Sequence, residues 1–225
     1  MKSKLLLAIF ISIIGFSTSH AQLDKKKEGL RIGIEGNIHQ SNIRGIHSFS
    51  KGRFSPAIGF FVKIPFQRSL GEGMTRDASF YFSPMIEYCM SGENDKSSRG
   101  TVNYNNDYVQ IPLLFDYVFE LGRVGYRNMC ISFGPVISYA VNNKIYGNIN
   151  EVYKGKSATL DVLEQAHSSF NKLDVGATVS IGYRLNPLIE LFVRYDNGFM
   201  KVYKDYDKHY TFNYRLGIGT KFLIK

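Results

Sequence analysis

The sequence predicts an all-β protein, an eight-stranded antiparallel transmembrane β-barrel with up-and-down topology. In eight segments, apolar or aromatic side chains occupy every second position and polar or very small ones lie between, as in the last sixteen residues, 210–225. In a strand these two sets point to opposite faces. The polar set is rich in Gly and Ser, and the apolar set repeatedly ends in Tyr. Hydrocarbon outside and a crowded polar lumen inside explain both features.

A soluble β-sandwich or lipocalin-like barrel is the alternative, because alternation is unchanged when a barrel is turned inside out. The small polar residues favour a lumen over a hydrated outer surface. The tyrosines favour an aromatic girdle at a membrane interface. These tyrosines are Tyr88, Tyr117, Tyr139, Tyr183 and Tyr195.

Strands one to four are bounded by Gly, Asn, Pro or charged turns and cover about 29–38, 55–64, 78–90 and 107–118. Their apolar faces are predicted to point outward. The outward residues are Leu30, Ile32, Ile34 and Ile38; Ile58, Phe60, Val62 and Ile64; Phe80, Phe82, Ile86 and Tyr88; and Val109, Ile111, Leu113, Phe115 and Tyr117.

Strands five to eight cover about 127–141, 171–184, 188–199 and 210–225. The sixth is the most regular, with Leu173, Val175, Ala177, Val179, Ile181 and Tyr183 set against Asp174, Gly176, Thr178, Ser180, Gly182 and Arg184. Most of the eight reach the ~9–11 residues that a tilted spanning strand requires.

The connections are predicted to alternate in length. With the amino terminus in the periplasm, those after the odd strands face outward and cover about 39–54, 91–106, 142–170 and 200–209. The others cover about 65–77, 119–126 and 185–187. The outward set is longer on average, which is typical of bacterial outer-membrane barrels.

Residues 1–21 are predicted to be a cleaved secretory signal, and 22–225 the barrel domain. Two lysines precede an apolar run from Leu5 to Phe16, and small residues lead to Ala21. A retained anchor helix is the alternative, but the run is shorter than the ~20 residues that a spanning helix needs.

The basic charge is not expected to bind nucleic acid. The chain has 28 Lys and Arg against 19 Asp and Glu, and the basic residues are scattered along an exported chain. We interpret the charge as favouring anionic lipid or sugar phosphates at a cell surface, including lipopolysaccharide. Cys89 and Cys130 fall near opposite ends of non-adjacent strands, so we expect two separate thiols.

The charges predicted to face the lumen are balanced. Buried charges are costly unless they are paired, so equal numbers fit a small filled lumen. The cations are Arg31, Lys63, Arg184, Arg194, Arg215 and Lys221; the anions are Glu35, Glu87, Asp116, Asp174, Glu190 and Asp196. Side chains can fill the interior of an eight-stranded barrel, so we expect no open pore.

One segment carries a family resemblance. Residues 107–118 read DYVQIPLLFDYV, which resembles the Y-[LV]-[EQ]-[IL]-P-[LV]-L segment of a Bacteroidota outer-membrane β-barrel family that includes PorT-like proteins. The match lies in Tyr108, Gln110, Ile111, Pro112 and Leu113, with weaker support from 133–139 and 216–222. It implies an eight-stranded barrel in the outer membrane. A few members of that family assist type IX secretion, and the family has no catalytic motif to carry over.

Candidate catalytic and metal-binding residues are few. His167 and Ser169 lie two apart and resemble the pair of lipid A deacylases, but no acidic residue is evident to orient the histidine. The histidines His39, His47, His167 and His209 fall in or beside outward loops and match no zinc spacing. We therefore expect solvated loop histidines, with no metal and no cofactor.

These features predict a non-enzymatic outer-membrane scaffold or accessory subunit of an envelope complex. Its expected partners are outer-membrane lipid, lipopolysaccharide and another envelope protein, met by loops 39–54, 91–106 and 142–170. The alternatives are a lipid-modifying enzyme using His167 and Ser169, and a narrow channel, which the balanced lumen disfavours.

Overall fold

Eight antiparallel strands close into a barrel in the computed structural model, which describes residues 30–44, 50–65, 78–97, 100–121, 128–149, 170–204 and 211–224. The strands are β1 (Arg31–Arg44), β2 (Ser50–Pro65), β3 (Ala78–Ser97), β4 (Gly100–Phe119), β5 (Met129–Ile149), β6 (Leu173–Asn186), β7 (Ile189–Gly198) and β8 (Phe212–Ile224). Each strand pairs with its neighbours in the chain, and β8 pairs with β1. The predicted up-and-down barrel is confirmed.

The first and last strands mark one end of the barrel. The first and last strands pair from Ile32 with Ile224 to Arg44 with Phe212. We call the end that holds Ile32 and Ile224 the terminal end, and the opposite end the loop end. No helix among the described residues is long and apolar enough to cross a membrane.

The apolar side of each strand faces outward, as predicted. Ile38 and Ile218 are 62% and 67% exposed, whereas Glu35 on the other face of β1 is 1% exposed. Of the predicted girdle, Tyr88, Tyr139 and Tyr183 are also exposed, and Tyr117 and Tyr195 are half-buried. An apolar outer wall around a polar interior is the arrangement of a membrane barrel, not of a soluble one.

The first five strands are longer at the loop end than predicted. The predicted loop 91–106 is wrong, because β3 and β4 pair as far as Ser97 with Gly100. β1 and β2 likewise extend into the predicted loop 39–54, of which 45–49 lie outside the described residues, and β5 runs into the predicted loop 142–170. Several outward positions of these extensions are polar, such as Gln40, Asn94 and Asn103, and there the apolar alternation is lost.

The extension makes the barrel uneven. The last register pair between β5 and β6 is Tyr139 with Leu173, yet β5 continues to Ile149. At about 3.4 Å per residue this adds about 34 Å of strand. The β3–β4 hairpin and the end of β5 therefore project well past the rim formed by β6 to β8.

The β6–β7 connection is a two-residue turn, close to the predicted 185–187. Asn186 Oδ1 accepts hydrogen bonds of 2.8 Å from the backbone N–H groups of Leu188 and Ile189. Such an Asx turn is what Asn followed by Pro favours. The predicted signal 1–21 and most of the 65–77 and 119–126 connections lie outside the described residues.

Candidate functional site

The interior is organised around Arg194 of β7. Its guanidinium contacts carboxylates from three strands: Nη1 lies 2.6 Å from Glu35 Oε1, Nη2 lies 2.7 Å from Glu87 Oε2, and Nε lies 3.2 Å from Asp196 Oδ2. All four side chains are almost fully buried. An arginine suits this position because its rigid, planar group presents five donors in fixed directions.

Further ion pairs extend this network in both directions. Toward the terminal end, Lys221 Nζ lies 3.7 Å from Glu35 Oε2 and 3.6 Å from Glu190 Oε1, and Glu190 also accepts from Arg184. Toward the loop end, Arg215 Nε lies 3.4 Å from Asp196 Oδ2. Opposite charges from β1, β3, β6, β7 and β8 are thereby joined across the lumen.

A separate ion pair lies near the terminal end. Lys63 Nζ is 2.8 Å from Asp116 Oδ2 and 5.0 Å from the centre of the Tyr81 ring. Ser83 Oγ also donates to Asp116, at 2.8 Å. With this pair, the ion pairs described here join five cations to five anions. Glu93, Asp107 and Asp174 are also buried, so carboxylates outnumber cations among the buried side chains that the structure describes.

Neutral side chains complete the shell around Glu87. Asn37 Nδ2 donates to Glu87 Oε1 at 3.0 Å, and Gln110 Nε2 donates to Glu87 Oε2. Ser138 Oγ in turn donates to Gln110 Oε1 at 3.3 Å. A buried carboxylate with several donors is held in one position, so these strands are tied together from inside.

Apolar side chains fill much of the remaining space. Two clusters lie toward the terminal end: Phe61, Met85 and Leu223, and Tyr81, Val118 and Cys130. The absence of a side chain on Gly33 makes room for one of them, since a Cβ there would lie 2.3 Å from Phe61 Cζ. The Gly content of the inward set thus reflects crowding, as its composition suggested.

The segment after β7 adds a buried apolar cluster at the loop end. Val202 and Tyr203 pack on Ile43, with Phe170 against them. Val202 N donates to Thr211 O, and Asn171 N donates to Val202 O, at 2.8 and 2.7 Å. Burial raises the pKa of the Tyr203 phenol well above its ordinary value, so it stays neutral. We call Ile43, Phe170, Val202 and Tyr203 the plug.

The twelve charges predicted to face the lumen fall into two groups. Ten join the ion pairs above, and two lie apart from them. Arg31 is half-buried at the start of β1. Asp174 is buried near the loop end, where its Oδ1 accepts a hydrogen bond from Met200 N at 3.2 Å.

Two buried groups were missed from the sequence. Glu93 is fully buried, although it lay in the predicted loop 91–106. The expectation of a solvated His39 is wrong: it is buried, with Nδ1 2.9 Å from Asn37 Oδ1 and Nε2 2.7 Å from Met90 O. Both residues continue the series of inward-facing positions in their strands. This alternation was the sequence signal that could have identified them as buried.

The remaining candidates are placed as follows. Cys89 and Cys130 are buried free thiols on β3 and β5, which confirms two separate cysteines. His47, His167, Ser169 and His209 lie outside the described residues. Within the described ranges, no group of three His, Cys, Asp or Glu is arranged to hold a metal ion.

Comparison with protein families identifies the kind of barrel. The family model for the outer membrane protein beta-barrel domain matches residues 20–204. No curated protein matches the chain significantly. Solved structures with a similar fold include the outer membrane enzyme PagL, at 8% identity and a TM-score of 0.47, covering 85% of this chain and 99% of that one.

Two other solved structures are similar in the same way. Neisserial surface protein A has 9% identity and a TM-score of 0.41, over 88% of this chain and 99% of that one. OprG from Pseudomonas aeruginosa has 11% identity and a TM-score of 0.40, over 88% and 97%. These likenesses do not distinguish an enzyme from a non-enzymatic barrel.

Proposed function

Because the chain belongs to the outer membrane protein beta-barrel domain family, we propose that it acts in the outer membrane as a non-enzymatic scaffold or accessory subunit. Its location in that membrane follows from the family. The role as a subunit rests on one observation: paired charges and apolar clusters occupy the interior. Contacts with other molecules are therefore expected at the outer wall and at the loop end.

The uneven rim supports this role. The β3–β4 hairpin and the end of β5 project past the strands opposite them. Below this projection, the same three strands are tied together in the barrel wall by Glu87, Gln110 and Ser138. A projection anchored in this way suits contact with another envelope protein, because less conformational entropy is lost when it is bound.

A finer version of the proposal uses the family resemblance. The Ile111-Pro112-Leu113 segment lies in β4, and it supports a PorT-like protein of the Bacteroidota, exported through a cleaved signal at 1–21. Its specific form would be a role accessory to type IX secretion, as in a few members of that family, with lipopolysaccharide and another envelope protein as partners.

Crosslinking followed by affinity purification from outer membranes tests the proposal. We expect at least one envelope protein to co-purify reproducibly with the wild-type chain. A matched control carries a hairpin truncated by deleting 94–103, which spares the barrel wall, and this variant should lose the partner. Recovery of the wild-type chain only as a free monomer would contradict the subunit role.

The non-enzymatic part of the proposal has its own test. Lipid A from a strain lacking the gene is compared by mass spectrometry with lipid A from the parent strain. We expect identical acylation and phosphorylation patterns. A missing modification, restored by the wild-type chain but not by His167→Ala or Ser169→Ala, would establish the lipid-modifying alternative instead.

A further inference from the structure

We propose that a groove on the outer flank of β2, β3 and β4 binds the phosphorylated saccharide headgroup of an outer-leaflet glycolipid. The groove encloses about 500 Å³. It is lined by Gly52, Arg53, Phe54, Asn94, Asn103 and Asn105. This inference is independent of whether the chain is a subunit of a larger complex.

A β-bulge forms the groove. Between the pairs Gly52 with Glu93 and Ala57 with Cys89, β2 has one residue more than β3. Gly92 in this interval has φ of +132°, and a Cβ on it would lie 1.8 Å from Tyr104 O. The backbone here therefore requires glycine, and bulges of this kind redirect neighbouring side chains.

The bulge positions the guanidinium of Arg53. Arg53 Nη1 donates to the Ser91 carbonyl at 3.0 Å, which anchors the side chain at the groove. One of five donors is used in that bond, and a guanidinium pairs well with phosphate through two parallel hydrogen bonds. Lys144, which is exposed, stands directly across from Asn105 on β5 and adds a second cation on the same face.

The other lining residues suit a sugar. Asn94 and Asn103 face each other across β3 and β4, and Asn105 follows two residues along. Each amide offers two donors and one acceptor, which match ring hydroxyls. Phe54, at 72% exposure, presents an aromatic face that can cover the C–H surface of a hexose.

The height of the groove on the barrel favours a lipid headgroup. The outward residues of β2 below it are apolar and exposed, from Ile64 through Phe60 and Ile58 to Phe54. Ten residues at about 3.4 Å, tilted by about 40°, rise about 26 Å, which matches the ~25 Å apolar band of outer-membrane barrels. The groove begins where this band ends.

A single glycolipid molecule can contact both the groove and the apolar surface below it. Its acyl chains would lie along Ile58 and Phe60, and its phosphosugar would enter the groove at Arg53. Asp107, a carboxylate on the same strand as Asn105, accepts hydrogen bonds from Tyr88 Oη at 3.2 Å and Asn142 Nδ2 at 2.8 Å. These neutral donors leave its charge in place, but Arg53 and Lys144 supply two cations against this one anion, so the net charge favours an anionic ligand.

Native mass spectrometry of the folded protein in detergent tests this site with phosphorylated lipid A as the probe. We expect saturable binding of one molecule. Arg53→Gln should weaken it about tenfold, the effect of losing one charge-assisted hydrogen-bond pair. Asn103→Asp, which keeps side-chain size and adds an anion, should weaken it at least as much.

Three comparisons decide the interpretation. Dephosphorylated lipid A should bind about tenfold more weakly and be insensitive to Arg53→Gln. Arg31→Gln, the same change at the terminal end, should leave binding unchanged. Equal affinity for phosphatidylglycerol, or no effect of either groove variant, would overturn the proposal. Folding is verified by the gel mobility of unboiled samples, and Asn103→Asp decides the matter if Arg53→Gln does not fold.

Discussion

Arg194 is the residue on which the interior most depends, since its guanidinium contacts Glu35, Glu87 and Asp196 together. Without it Glu35 and Asp196 keep Lys221 and Arg215, but the buried carboxylate of Glu87 loses its cation. Removing one partner of a buried ion pair costs about 3–5 kcal/mol. We therefore expect Arg194→Met to lower the free energy of unfolding by about that amount. Urea titration in lipid vesicles, followed by gel mobility, measures it.

Lys172→Met is the control, because Lys172 is exposed and lies outside the Arg194 ion pairs. We expect a change within about 0.5 kcal/mol, as for most surface substitutions. Equal stability of the Arg194 and Lys172 variants would mean that the buried network does not hold the barrel together.

A substitution at Gly92 tests whether the backbone of the β-bulge is strained. Alanine there must adopt a positive φ and meet the Tyr104 carbonyl, so Gly92→Ala should lower the free energy of unfolding by about 1–3 kcal/mol. Gly36→Ala serves as the control, because a Cβ at Gly36 meets no atom within 4 Å. If both variants unfold at the same urea concentration, the bulge carries no strain.

The sequence predicts well which face of the barrel a residue occupies where apolar and polar positions alternate without interruption. Arg194 was identified as a lumen charge because Val193 and Tyr195 flank it, and Lys221 because it shares the inward parity of Arg215 and Gly217. Glu93 and His39 were not, since the apolar alternation stops at or near each of them and polar residues follow. Which carboxylate pairs with which cation depends on how the strands close into a barrel. The alternation of residues along the sequence carries no information about that pairing.

At the scale of elements, the β3–β4 hairpin is the main departure from prediction. Strands were recognised by an apolar face, and that face exists only where lipid touches it. Beyond the membrane both faces of a strand can be polar, so Asn103 and Asn105 read as loop residues. Strand number and order followed from the sequence, whereas strand length at the loop end did not.

The hairpin gives a prediction about orientation. An epitope inserted between Ser97 and Gly100 should bind antibody on intact cells, because the loop end faces the exterior in barrels of this class. The same epitope between Leu121 and Asn128, at the terminal end, should bind only after the outer membrane is permeabilised. Flow cytometry with both strains measures this, and the reverse pattern would invert the assigned orientation.

For the whole molecule, the packing of the interior determines which buried groups a reagent in solution can reach. Cys89 and Cys130 are both fully buried, and Cys89 Sγ accepts a hydrogen bond from Arg215 Nη1 at 3.1 Å. A membrane-permeant maleimide should therefore leave both thiols unmodified in the folded barrel and label both after unfolding in urea. Fast labelling of Cys89 in folded protein would indicate a water-filled lumen.

Conductance across a planar lipid bilayer tests the closed, charge-filled interior most directly. The plug at the loop end, the Arg194 network in the middle and the apolar clusters toward the terminal end occupy successive levels of the described part of the lumen, so we expect no continuous water path through it. Folded protein, with a porin as the positive control, should give no current steps above the lipid baseline. Reproducible ohmic steps that scale with salt concentration would contradict a filled barrel and favour a channel.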